Sequence, residues 1–128
     1  MRTVVVRNPR RDATLGRAVG MADRWWLRLR GLLGRPRLRA GEGLLLVPCR
    51  GVHTVGMREP LDIAVLDRVG TVIAVYPALP PGRGTPLHRR GVAVLELPAG
   101  TLALTGTVPG DPLEWAEEGR SPVTGAAA

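Results

Sequence analysis

Apolar residues along the chain fall in short blocks, and the period changes once. Thr3-Val4-Val5-Val6-Arg7 is a β-branched run ended by Asn8-Pro9, which predicts a first strand. Residues 14–20 predict a second extended segment. From Asp23 the period turns helical: Trp25, Trp26, Leu29, Leu32 and Leu33 share one helix face. Asp23 suits the N-cap, Arg28 and Arg30 suit the C-terminal half, and Gly34 and Pro36 supply a stop. The Trp pair is expected to anchor this helix to the sheet. Residues 43–47 then predict a buried strand. Leu61–Leu66 and Thr71–Tyr76 predict the arms of a hairpin turning at Asp67–Gly70. "ALPPGRGTPLHRR" reads as a surface loop. "GVAVLELP" and "TLALTGTV", joined at Pro98-Ala99-Gly100, predict two more strands. The pattern lapses near Glu114. The expected fold is therefore α+β, mainly β: about six strands in a coiled or barrel-like sheet with one amphipathic helix. Residues 1–113 are expected to form a single globular domain and 114–128 a flexible tail.

Composition narrows the class. A chain of 128 residues suffices for one domain with a core of its own. With no Phe, that core must be built from Leu, Val, Ile and Ala. No apolar run approaches the ~18 residues of a membrane span. The opening "MRTVVVRNPRR" has too short an apolar stretch for a signal peptide, so a cytoplasmic protein is expected. One cysteine excludes an intrachain disulfide and a multi-cysteine zinc cage. The net charge of +7 provides a field attractive to anions. Its arginines, however, are dispersed through "RNPRR", "RWWLRLR", "GRPRLR" and "LHRR", with no recognition-helix or stacking-aromatic signature. Nucleic acid is therefore not favoured, and the expected partner is a small ligand or another protein.

The chemistry concentrates in "PCRGVHTVGM", which holds Cys49, His53 and Met57 at intervals of four. On an extended strand such residues lie ~13 Å apart. They converge only if the segment folds back, for which Gly51 and Gly56 offer backbone freedom. Converged, they form a soft donor set suited to copper or another soft metal; His88 is the second histidine a blue-copper site would need. Alternatively, Cys49 beside His53 forms an activated nucleophile, with Asp62 or Glu96 orienting the imidazole. The carboxylates Asp62, Glu96 and Asp111 offer a third reading, an acid–base pair at ~5 or ~6.5–9.5 Å. A structural alternative pairs Glu96 with Arg58, because a charge in the apolar strand "VAVLELP" needs a partner. Thr54 and Arg58 supply a hydroxyl and a guanidinium fork for an anionic ligand. Whether the protein is an enzyme stays open at this point; a binding or accessory module is the leading reading, and a small hydrolase or a protein-partner module the alternatives.

The series "RLRGLLGRPRLRAGEGLLLVPCRGVHTVGMREPLDIAVLD", then "VLELPAG" and "GDPL", resembles the domain-of-unknown-function 192 family over roughly residues 20–113. The resemblance implies a small, compact, mostly β domain. It carries no settled activity. This chain resembles the branch with a Cys-x3-His-Thr-x-Gly-Met segment, where much of the wider family has an aromatic-Met-Lys-Asn stretch.

Overall fold

The computed structural model describes residues 2–22, 37–54 and 57–119. Among these, seven strands form one sheet: β1 (Thr3–Asn8), β2 (Ala13–Ala22), β3 (Glu42–Leu46), β4 (Leu61–Leu66), β5 (Val72–Leu79), β6 (Ala93–Pro98) and β7 (Glu114–Ala116). Their order is β5-β4-β6-β3-β2-β1-β7. A short helix, α1 (Thr101–Thr105), follows β6. Neighbours are antiparallel except β2 and β3, which run parallel with Ala18 opposite Glu42 and Ala22 opposite Leu46. A parallel pair needs a crossover rather than a tight turn. The helix expected from Asp23 falls on residues that lie outside the described ones.

The sheet curls into a half-barrel because its two edges meet at one corner. Val72 N–H donates to Asp111 O at 2.9 Å, Gly110 N–H to Val72 O at 2.7 Å, and Leu113 N–H to Gly70 O at 2.9 Å. These bonds tie the start of edge strand β5 to the segment entering edge strand β7. Alternation along each strand then gives two apolar faces. The inner face gathers residues from every element, including Val6, Val19, Leu45, Leu95, Leu102 and Trp115. The outer face carries a smaller cluster around Leu44, Leu46, Ile63, Val65 and Val94.

Two stretches depart from the sequence expectation. "TLALTGTV" was expected as a strand from its alternating apolar residues, and Thr101–Thr105 is helical instead. Leu102 is buried while Leu104 is 91% exposed, so the alternation marks no sheet face. Gly100 enters with φ 97° and Gly106 exits with φ 67°, left-handed conformations suited to glycine. The second departure is β7, which extends ordered pairing past the point where the periodic pattern lapses. Val6 lies opposite Trp115, and that buried ring anchors the strand.

Candidate ligand site

Backbone pairing decides the geometry of the Cys49–Met57 segment. Cys49 N–H donates to Val92 O at 2.8 Å, His88 N–H to Arg50 O at 3.0 Å, Thr85 N–H to Val52 O at 2.9 Å, and Thr54 N–H to Arg83 O at 2.7 Å. His53 forms an isolated bridge with Gly84. Residues 50–54 therefore run extended along residues 83–88. Gly51 serves close approach: a Cβ there would stand 2.5 Å from Pro86 O. Of the two courses left open by the sequence, Gly51 serves the extended one, and Gly56 lies outside the described residues.

The extended course keeps Cys49 and His53 about one four-residue strand interval apart, ~13 Å. His53 is exposed. Cys49 and Met57 are half-buried and pack against the outer apolar cluster. The Cys49 thiol donates to Gly51 O at 3.1 Å. No group of three or more His, Cys, Asp or Glu side chains is gathered as for a metal among the described residues. His88 instead shares a 2.6 Å hydrogen bond between its Nε2 and the Tyr76 hydroxyl. Thr54, assigned a ligand role by its hydroxyl, uses that group inside the loop. Its Oγ1 donates to Pro80 O at 2.6 Å and accepts from Arg83 N–H at 2.9 Å. Met57 N–H donates to Thr54 O at 3.1 Å.

The three carboxylates separate into different roles. Asp62 is buried and accepts three backbone bonds: Ala78 N–H at 2.8 Å on Oδ1, and Gly100 N–H at 3.1 Å and Leu102 N–H at 2.8 Å on Oδ2. It thereby satisfies the first amides of α1, which the helix itself cannot. Asp111 sits elsewhere, gripped by Arg11 Nε at 2.9 Å and Nη2 at 3.1 Å and by Asn8 Nδ2 at 3.0 Å. The Arg11 bond holds its carboxyl well below the usual range, with Asn8 and the Val108 amide assisting.

Glu96 is different. It lies opposite Leu44 on β3 and opposite Ile63 on β4, so it points into the outer apolar cluster. It is 3% exposed. Its Oε2 has no hydrogen-bond partner among the described residues. Burial pushes its carboxyl up to about 7. The expected bridge to Arg58 is not formed: Arg58 is exposed, and the ion pairs of the described residues join other partners. Ile63 in turn lies opposite Tyr76, so a row Tyr76–Ile63–Glu96–Leu44 crosses this face. Sequence reasoning had no role for Tyr76; its place as the chain's single tyrosine in an otherwise apolar arm was the available signal.

Similar proteins share this fold. A crystal structure of a protein of unknown function from Novosphingobium aromaticivorans superposes with a TM-score of 0.72 at 26% identity, covering 88% of this chain and 84% of that one. A Sinorhizobium meliloti protein described as a "putative transcription regulator" gives a TM-score of 0.72 at 27% identity, covering 88% and 91%. No curated protein matches the chain. The family model for DUF192, "Uncharacterized ACR", matches residues 6–115, which is nearly the whole of the described fold. The chain belongs to the DUF192 family.

Proposed function

We propose that the protein is a small cytoplasmic binding module whose ligand is received by Glu96 on the outer face of the sheet. One observation carries this reading: a buried carboxyl flanked by Leu44 and Ile63 has an oxygen with no hydrogen-bond partner among the described residues. An unmade buried hydrogen bond costs about 1–3 kcal/mol. A ligand's N–H would remove that cost. The apolar flanks, with half-buried Cys49, Val52 and Met57 packed on the same cluster, favour a short apolar body bearing one amine or amide. Binding a cationic amine requires the carboxylate, so uptake by protonated Glu96 releases one proton. Arg58, exposed and next to Met57 in sequence, is available to an anionic group on the ligand.

The hydrolase readings fare less well. Cys49 and His53 stand apart along an extended segment, and Asp62 is committed to backbone amides. The test is thermal unfolding with n-butylamine or butyrate at matched ionic strength, on the wild type and on Glu96→Gln. Stabilisation by the amine alone, lost in Glu96→Gln, supports the proposal. Equal responses of the two proteins to the amine, or none, would overturn it.

A further inference from the structure

Strand directions bring three chain ends together. β3 and β4 both run antiparallel to β6, so the C-terminal ends of β3 and β4 lie beside the start of β6. The chain places arginine at each of these ends: Arg50 after β3, Arg68 in the β4–β5 turn, and Arg89-Arg90 before β6. Backbone bonds hold the three loops against one another. Cys49 N–H donates to Val92 O at 2.8 Å, Val92 N–H to Leu66 O at 2.8 Å, and His88 N–H to Arg50 O at 3.0 Å. Arginines that look dispersed in sequence thus line one cavity of about 460 Å³, together with Asp67 and Val69.

All four arginines are exposed, and the ion pairs among the described residues use other arginines: Arg2, Arg7, Arg10, Arg11 and Arg37. The single acid lining the cavity is turned to its own backbone. Asp67 Oδ1 accepts from Val69 N–H at 3.0 Å and Thr71 N–H at 2.9 Å. Four arginines lining one cleft with a single carboxylate repel one another, and a bound anion relieves that repulsion. Guanidinium forks match phosphate oxygens, and four of them offer more donors than one phosphate group can accept. The cavity has the size of a small-molecule site, roughly 300–1,000 Å³, rather than the extended basic stripe that tracks a nucleic-acid backbone.

We propose that this cleft binds a small molecule through its polyphosphate group, held by Arg50, Arg68, Arg89 and Arg90. The site is separate from Glu96 and stands whether or not the amine proposal does. The experiment is calorimetric titration with inorganic tripolyphosphate at fixed ionic strength, on the wild type, Arg89→Ala/Arg90→Ala and Arg17→Ala/Arg39→Ala. Arg17 and Arg39 are exposed arginines outside the cleft. One site is expected, weakened at least about tenfold by the first pair and less than about twofold by the second. Three results would overturn the proposal: no binding, equal losses from both pairs, or a short DNA duplex that binds more tightly than tripolyphosphate and depends on both pairs alike. Unfolding midpoints matching the wild type would show that both variants are folded.

Discussion

Asp62 and Glu96 stand on neighbouring strands and point away from each other. In the β4–β6 ladder Asp62 is opposite Leu97 and Glu96 is opposite Ile63. That offset of one residue sends the two carboxyls to opposite faces of the sheet. Asp62 turns inward to the amides of α1, and Glu96 turns outward into an apolar cluster. An acid–base pair acting on one bond needs both groups on one side, and this register forbids it.

The role of Asp62 is structural, and its removal is expected to be costly. Asp62→Ala leaves three amide donors without their acceptor, for a loss on the order of 3 kcal/mol in urea unfolding. Asp62→Asn keeps one carbonyl oxygen and is expected to lose less. An unchanged midpoint for Asp62→Ala would contradict the assignment.

Glu96 makes stability depend on pH near neutrality. Burial raises its folded carboxyl from the ordinary 4.5 to about 7, so the folded protein holds more protons than the unfolded chain between those values. Stability is then full below the unfolded value and falls as pH rises through about 7, by on the order of 3 kcal/mol in all. Glu96→Gln is expected to flatten this slope and to be the more stable protein above pH 7. The acid limb belongs to Asp111, whose depressed carboxyl contributes stability above the ordinary aspartate range and loses it as pH falls. Chemical denaturation at a series of pH values separates the two.

Gly51 is required by proximity to Pro86 O, since a Cβ would sit 2.5 Å from it. Gly51→Ala is expected to push the two extended segments apart and to cost about 1–3 kcal/mol. Amide exchange at Thr54 and Thr85, whose N–H groups join these segments, should accelerate by more than exchange in β6. Uniform acceleration would place the damage elsewhere.

A soft metal is expected to have no home at Cys49, His53 and Met57. Copper(I), copper(II) or zinc(II) should shift thermal unfolding of the reduced wild type no more than that of Cys49→Ala/His53→Ala. Specific binding at a hundredfold the dissociation constant would add ~2.7 kcal/mol. A shift of that order, lost in the double variant, would restore the metal reading.

Much of the fold was legible in sequence. "TVVVR", "LDIAVL" and "VAVLELP" carry the β-branched, apolar composition of strands, and Asp67–Gly70 carries the chemistry of its turn. Gly70 takes φ 85°, and Asp67 accepts from the backbone as such turns require. What escaped depends on distant partners. Thr101–Thr105 is helical with its amides held by Asp62, 38 and 40 residues away for Gly100 and Leu102. Residues 50–54 are straightened by a Pro- and Gly-rich stretch that has no strand period of its own. The burial of Glu96 was visible in its apolar strand, but the missing partner was not, because register decides which neighbours share its face. The arginine cleft is a product of topology alone: strand order gathers residues 18 to 40 positions apart in sequence.

The most direct measurement is the carboxyl carbon resonance of Glu96, followed by NMR from about pH 4 to about pH 9 without and with n-butylamine. Its midpoint is expected at about 7 in the unliganded protein, and to fall when the amine is present because the ion pair favours the carboxylate. A midpoint in the ordinary glutamate range, or one at about 7 that the amine leaves unmoved, would contradict the assignment of Glu96 as the ligand-receiving acid.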